Sequence, residues 1–244
     1  MAKEIKVVTI GGGGGQAQVL KGLADIPNLT ITAICPSTDS GGSTGVLQRD
    51  YETRGYLGDL TKCIAALCPD KVLSQSLLFR YGEGCLHGHS VKNILFLGLE
   101  KVAGLAKALE IMYRVCELGR HRVIPVTTES AELCARLKIG NTIEGETRID
   151  MIAKNPLWHP DYHAIQDIYL RPSVQASQDA CRAIEEADWI VLCPGDLYSS
   201  LLPVILPQGI KESFVNSQAK VVSIMNIMTK NGETDNYKTM DFVV

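Results

Sequence analysis

The chain has 244 residues, of which 45% are hydrophobic and 21% are charged, and its formal net charge is -3. A chain of this length can bury a sizeable core, as one large α/β domain or as two small ones. Its 24 basic and 27 acidic side chains form no basic block. The sequence therefore predicts neither a nucleic-acid-binding surface nor a polybasic membrane anchor.

The eight cysteines are spread through apolar segments, without a C-x-x-C pair. We interpret most of them as buried small hydrophobic residues rather than a disulfide framework. The first residues lack the apolar core of a signal peptide, and the best apolar run, residues 94–99, is too short to span a bilayer. We expect a protein of the reducing cytoplasm.

The first strand is followed by a run of glycines and then by a helical segment. Residues 6–10 are β-branched and apolar, and residues 16–23 have helical periodicity. The glycines between them let backbone N–H groups turn toward an anion at the positive end of a helix. We predict phosphate binding by Gly12, Gly13, Gly14 and Gly15; Gly12, Gly14 and Ala17 also fit the dinucleotide fingerprint G-x-G-x-x-A. A flexible turn without a ligand is the alternative.

A second polar loop follows the next strand, which is predicted over residues 29–35. It lies at the carboxyl end of that strand, where open α/β sheets bind ligands. Asp39 is a candidate for a ribose hydroxyl or for a metal ion that bridges phosphates, and an Asx turn or helix cap is the alternative. The candidate binding residues of this loop are Asp39, Ser40, Gly41, Gly42 and Ser43.

Three helical segments come next, over residues 60–67, 72–81 and 90–118. Asp59 is a candidate binding residue, and it is also expected to cap the first of these helices. His87 and His89 form an H-x-H pair, which ligates a metal only with a third ligand, and no local one exists. We favour His89 and Asn93 as hydrogen-bonding groups near a phosphate or sugar, with packing of the loop as the alternative reading of His89.

The second half of the chain departs from simple strand–helix alternation. Residues 132–151 predict an antiparallel hairpin that turns at Gly140-Asn141, and His159 and His163 lack the glutamate of a H-E-x-x-H zinc motif. Further strands are predicted over residues 165–170, 189–192 and 220–227, with a helix capped by Ser173. We expect a Rossmann-like, doubly wound, mostly parallel sheet in three α/β/α layers, with a small antiparallel insertion.

The turn after residues 189–192 repeats the pattern of the opening glycines. Its backbone donors and hydroxyls suit a second phosphate or a sugar, and its tyrosine can stack on a ring. The candidate binding residues here and after the last strand are Pro194, Gly195, Asp196, Tyr198, Ser199, Asn226 and Thr229.

Six segments, in order and across nearly the whole chain, resemble the YvcK/CofD-like family, which joins the gluconeogenesis-factor (YvcK-type) branch to 2-phospho-L-lactate transferase. They are Gly11–Gly15 for G-G-G-T-G, Thr38–Gly45 for A-D-D-G-G-S-S-G, Leu57–Leu60 for P-G-D-L, Gly88–Asn93 for G-H-S-L-G-N, Pro194–Ser200 for P-G-S-L-Y-T-S and Asn226–Thr234 for N-L-M-T-Q-P-G-E-T. The second segment is more similar to the gluconeogenesis-factor branch.

The resemblance implies a cytoplasmic protein that binds a nucleotide or nucleotide sugar, of the UDP-GlcNAc type or like NAD or GDP, with roles in cell shape and carbon metabolism. No settled reaction comes with it, so no catalytic residue is assigned, and Mg²⁺ is a candidate cofactor without assigned ligands. We expect one domain over residues 1–244, lacking the family's C-terminal elements. We also expect a homo-oligomer and a regulatory protein partner.

Four of the departures from the family pattern bear on a ligand site: Gly14 replaces Thr, Ser40 replaces Asp, Lys92 replaces Gly and Asp196 replaces Ser. The loss of one carboxylate weakens a two-carboxylate Mg²⁺ site. Asp196 would repel a diphosphate unless a metal ion or Lys92 compensates its charge.

Two functions are consistent with these features. The first is a nucleotide-binding regulatory protein, because no nucleophile is evident. The alternative is a Mg²⁺-dependent phosphotransferase of the 2-phospho-L-lactate transferase type, with the ion on Asp39 and with His89 or Asp59 as base.

Overall fold

The structure, a computed structural model, describes residues 3–53 and 56–242. Its strands divide between two sheets. In chain order the strands are β1 (Ile5–Ile10), β2 (Leu29–Cys35), β3 (Arg122–Pro125), β4 (Glu132–Leu137), β5 (Thr142–Glu144), β6 (Ile165–Arg171), β7 (Trp189–Leu192) and β8 (Lys220–Ser223).

The main sheet is parallel and has the strand order β3-β2-β1-β7-β8. From β1 the chain proceeds to β2 and β3 on one side, and β7 and β8 later extend the sheet on the other side. The carboxyl ends of β1 and β7 therefore flank a topological switch point, which is where doubly wound sheets bind ligands. The last strand is shorter than predicted, ending at Ser223 rather than at residue 227.

Helices cover both faces of this sheet. They are α1 (Gly13–Ala24), α2 (Gly42–Tyr51), α3 (Leu57–Leu67), α4 (Lys71–Leu78), α5 (Val91–Val115), α6 (Glu146–Asp150), α7 (Pro160–His163), α8 (Gln178–Glu185), α9 (Leu202–Ile205) and α10 (Ile210–Asn216), with 3₁₀ turns at Ile152–Lys154 and Thr239–Phe242 and a π-helical turn at Leu197–Leu201. Among the described residues, no helix has the length and apolarity needed to cross a bilayer.

The alternation of side chains along the strands separates two cores. Val7 points into a core shared with α1, α3 and α5, whereas Val8 and Ile10 point into a core shared with α8, α9 and α10. These layers confirm the predicted α/β/α architecture. Helix α5 is broken at Gly104, whose φ of 78° no interior helical residue adopts.

The predicted antiparallel insertion is confirmed as the sheet β5-β4-β6, in which β4 pairs antiparallel with both neighbours. It has a core of its own, which includes Leu133, Ile149 and Leu170. Two cap predictions are wrong. Helix α8 is capped by Ser177, whose hydroxyl accepts from the N–H of Ala180, instead of by Ser173. Helix α3 begins earlier than predicted, with Tyr56 at its N-cap and Asp59 in its first turn.

All eight cysteines are free thiols, and six of them are buried. This distribution agrees with their interpretation as small hydrophobic residues.

Candidate functional site

The opening glycines form the N-terminus of α1 beside the turn that follows β7. Gly12 is the N-cap and has no side chain with which to cap the first N–H groups of α1. Gly15 packs so closely on the carbonyl oxygen of Pro194 that a Cβ atom could not fit there, whereas a Cβ on Gly14 would meet open space. Because Gly15 has no side chain, the two turns can pack directly against each other.

This junction encloses a cavity of about 340 Å³, which we call the glycine cradle; it is lined by Gly12, Gly13, Gly14, Gly15, Pro194, Gly195, Asp196, Ser200 and Asn226. Eight of the predicted binding residues line it, together with Ser200. The Asn226 amide donates to the Gly195 carbonyl over 2.8 Å and so holds the two loops together. The cradle lies at the switch point between β1 and β7, where backbone donors and a helix N-terminus favour an anion.

Two carboxylates lie beside the cradle on the β2 side. Asp59 reaches the start of α1, where the N–H of Gly13 donates to it. A Cβ on Gly12 would lie 2.7 Å from its Oδ2 atom, and a Cβ on Gly58 would collide with the Asp39 carboxylate. The glycine at position 12 therefore leaves room for the Asp59 carboxylate, and the glycine at position 58 leaves room for that of Asp39.

Burial, and next the charge of Asp39, raise the pKa of Asp59 to about 6. Asp39 also accepts from the N–H of Gly41 over 2.9 Å, which is the Asx turn that we kept as its alternative role.

Glu146, at the start of α6, adds a third carboxyl group that the sequence analysis missed. Burial raises its pKa to about 7, with further contributions from Asp39, Asp150 and Asp59. Its signal in the sequence is weak, because it lies in the antiparallel insertion and far from the glycine loops. The carboxyls of Asp39, Asp59 and Glu146, which we call the β2-side acidic group, form an oxygen-rich and electrostatically strained region beside the cradle.

Ser43, His89 and Asn93 lie together at the N-terminus of α2. The sequence predicted that His89 and Asn93 act together as hydrogen-bonding groups. The Ser43 hydroxyl lies 3.0 Å from His89 Nδ1 and accepts from the Asn93 amide over 3.1 Å. Lys92 is 4% exposed. Its ammonium contacts Gly58 and Asn93, so it does not compensate the charge of Asp196, and that prediction is wrong.

The charge of Asp196 is compensated instead by Lys230. The Lys230 ammonium lies 2.6 Å from Asp196 Oδ2, contacts Asp150 and lies 3.8 Å from Glu233 Oε1. We call Asp150, Asp196, Glu233 and Lys230 the β7-side cluster. Burial raises the pKa of Glu233 to about 7, and the charge of Asp196 adds to this shift. The ammonium occupies the position that a cation would take among these carboxylates.

The remaining predicted binding residues have other partners or lie apart. Ser40 pairs with the Thr147 hydroxyl and N–H, both at 3.2 Å. The Tyr198 hydroxyl contacts that of Tyr237 at 2.7 Å, and the Ser199 hydroxyl donates to Glu233 over 3.3 Å. Thr229 is exposed.

Tyr198 lines a second cavity of about 390 Å³ that adjoins the cradle, because Gly195, Asp196 and Asn226 line both. This second cavity extends to Lys230 and to the 3₁₀ turn at Thr239–Phe242, and it offers apolar walls next to the glycine cradle.

Comparison with known proteins gives a family match over almost the whole chain. The family model described as "2-phospho-L-lactate transferase CofD" matches residues 7–244. A "Putative gluconeogenesis factor" of Thermotoga maritima is 36% identical over 241 residues, which cover 98% of this chain and 73% of the relative. The "Gluconeogenesis factor" of Bacillus subtilis is 33% identical over 248 residues, which cover all of this chain and 74% of the relative.

Solved structures agree with these matches. The crystal structure of protein BH3568 from Bacillus halodurans is similar to this chain with a TM-score of 0.89 and 33% identity, and the match covers 99% of this chain and 75% of the other. A second crystal structure of BH3568, described as a member of the UPF0052 family, gives a TM-score of 0.90.

Proposed function

Because the chain belongs to the CofD family, together with the gluconeogenesis factors, we propose that it is a cytoplasmic regulatory protein that binds a nucleotide sugar of the UDP-GlcNAc type. In this proposal it links that ligand to carbon metabolism and cell shape. The observation that carries the proposal is the glycine cradle at the switch point, built from two glycine-containing turns and continuous with a second, partly apolar cavity. A diphosphate on the cradle would place a nucleoside or sugar in that second cavity.

The arrangement of donors favours binding over chemistry. The cradle offers backbone N–H groups and the Ser200 hydroxyl, and no base contacts that hydroxyl among the hydrogen bonds of the described residues. An activated nucleophile requires such a base within hydrogen-bonding distance. We expect the protein to signal its bound state to a protein partner, as a homo-oligomer.

Calorimetric titration with UDP-GlcNAc, NAD and GDP tests the proposal. Gly14→Asp is the informative variant, because a side chain at Gly14 meets open space while its carboxylate would repel a phosphate in the cradle. Gly22→Asp on the same helix is the matched control, since its side chain also meets open space, far from the cradle. We expect Gly14→Asp to weaken binding by about a hundredfold and the control to bind like the native protein. The absence of binding to all three ligands would refute the proposal.

A second candidate function is favoured by the β2-side acidic group. Its oxygen ligands suit Mg²⁺, and the raised pKa values of Asp59 and Glu146 are lowered when a cation is bound nearby. Asp39 would then hold the ion, which would supply charge neutralisation for a diphosphate. As a Mg²⁺-dependent phosphotransferase, the protein would use His89 or Asp59 to accept the proton of an acceptor hydroxyl. An Asp39→Asn variant with unchanged Mg²⁺ affinity and unchanged transfer would eliminate this candidate.

A further inference from the structure

Lys92 is a buried lysine whose contacts neither proposed function uses. It is 4% exposed and follows the N-terminus of α5 directly, at a position where the resembling motif has glycine. Its ammonium has three neutral acceptors: the Gly58 carbonyl at 3.0 Å, the Thr61 hydroxyl at 2.9 Å and Asn93 Oδ1 at 2.7 Å. Among the described residues, no carboxylate lies within salt-bridge distance of it. Burial lowers its pKa to about 8.

The three contacts use all three hydrogens of the ammonium. They also determine how Asn93 is oriented. An ammonium only donates, so the Asn93 atom that faces it must be the oxygen, and the NH₂ group must face the other way. That NH₂ group donates to the Ser43 hydroxyl over 3.1 Å.

With Asn93 oriented this way, one of the two acceptor sites of the Ser43 oxygen is filled, which favours donation of its own hydrogen. Because the Ser43 oxygen accepts from Asn93, its own hydrogen is available for His89 Nδ1, which lies 3.0 Å away. A ring nitrogen that accepts a hydrogen bond carries no hydrogen. A neutral His89 therefore carries its hydrogen on Nε2. Among the described residues, Nε2 has no hydrogen-bond partner, and the side chain is half-buried.

We propose that Lys92 is a positioning residue that fixes the His89 tautomer through Asn93 and Ser43, so that His89 presents an Nε2–H donor to an anionic oxygen of the ligand. The ligand part of this inference rests on the proposed function. The tautomer part does not, because it follows from the hydrogen-bond chain alone. The recognised chemistry is a phosphoryl or similar anionic oxygen, since Nε2–H can only donate.

The tautomer is measured on the ligand-free protein with ¹⁵N-labelled histidine, by long-range ¹H–¹⁵N correlation at pH 7.5. We expect the native protein to show His89 in the Nε2–H form. In Lys92→Met the Asn93 oxygen loses its charged donor and keeps only the Thr61 hydroxyl at 3.0 Å, so we expect a mixture of the two tautomers. Lys101→Met, at an exposed position of the same helix, should match the native protein.

Asn93→Asp is the sharper variant, because it replaces the donor that faces Ser43 by an acceptor. The Ser43 hydrogen then turns toward the new carboxylate, and His89 is expected to change to the Nδ1–H form. Native protein in the Nδ1–H form, or an unchanged tautomer in both Lys92→Met and Asn93→Asp, would overturn the proposal. Circular dichroism establishes that each variant is folded.

Titration with UDP-GlcNAc tests the ligand part. We expect Lys92→Met to weaken binding about twofold, because only the Nε2–H fraction of the mixture donates to the ligand. Lys101→Met should bind like the native protein. Unchanged affinity in Lys92→Met would overturn the ligand part. Failure of the native protein to bind would instead refute the proposed function, and the tautomer measurement would remain decisive for the hydrogen-bond chain.

Discussion

Two acidic regions flank the glycine cradle, and they balance their charge in different ways. In the β7-side cluster, Asp150, Asp196 and Glu233 surround the ammonium of Lys230. In the β2-side acidic group, the salt bridge closest to the carboxyls is that of Lys62, 4.0 Å from Asp59. In the β7-side cluster, the chain itself supplies the compensating cation, Lys230. In the β2-side acidic group, the repulsion between carboxylates remains, and an external cation would relieve it. We therefore predict that a divalent ion binds the β2-side acidic group rather than the β7-side cluster.

The contact between the two turns of the cradle, which lies between the acidic regions, should give the largest effect. Gly15→Ala places a methyl group against the Pro194 carbonyl, where the space is absent, and Gly14→Ala places one in open space. We expect Gly15→Ala to lower the free energy of unfolding by about 3 kcal/mol through forced backbone movement. Gly14→Ala should raise it by about 0.5 kcal/mol, because alanine favours the helix. Urea denaturation measures both, and similar effects of the two variants would contradict the described junction.

Removal of the internal cation should convert the β7-side cluster into a second strained region. In Lys230→Met three carboxyls lose their compensating charge, so we expect a loss of about 2 kcal/mol in unfolding free energy, less than for a fully buried pair. Lys238→Met, at an exposed position nearby, is the control. The second substitution Asp196→Ser should recover much of the loss. If Lys230→Met and Lys238→Met are equally stable, the cluster does not need its lysine.

The strain on the β2 side should appear in the pH dependence of stability. The pKa of Asp59 rises from 3.8 to about 6 on folding, so the folded state binds this proton more tightly than the unfolded state does. The contribution to stability is therefore full below about pH 4 and is lost as the pH rises through 6. We expect Asp59→Asn to be more stable than the native protein by about 2 kcal/mol at pH 8 and not at pH 4. Urea denaturation at both pH values measures the difference, and a larger gain at pH 4 would contradict it.

An added divalent ion should also distinguish the two acidic regions, and its effect on stability is the smallest of those predicted. At ten times its dissociation constant, a bound ion stabilises the folded state by about 1.4 kcal/mol. We expect Mg²⁺ to raise the thermal midpoint of the native protein at pH 8, and Asp39→Asn to remove this shift. Asp196→Asn should retain it, because Lys230 already occupies that cluster. Loss of the shift in Asp196→Asn alone would place the ion on the other side of the cradle.

The sequence was sufficient to predict the sheet and the cradle because their signals are local. β-branched runs define β1, β2 and β7, and glycines at their carboxyl ends define the turns. The roles of individual charges were not predictable in this way. Aspartate is a residue type that often caps helices, so the sequence favours that role for Asp59. Only the packing of α3 against α1 directs its carboxylate to Gly13.

Lys230 shows what kind of signal was overlooked. It stands where the resembling motif has Gln, and Asp196 stands where that motif has Ser, so two neutral positions 34 residues apart have gained opposite charges. Such a pair suggests contact, but from the sequence we named Lys92, and not Lys230, as the lysine that would compensate Asp196. The distance between residues in the fold decided between the two lysines.

The contact between Gly15 and Pro194 also has a consequence for biosynthesis. β1 is a central strand, yet its neighbour β7 is about 180 residues away in the chain. At ribosomal rates of about 5 to 20 residues per second, β1 waits on the order of 10 to 40 s for that neighbour. During this time the opening glycines have only one wall of their cavity. A nascent chain can therefore gain the cradle only after almost all of these residues have left the ribosome.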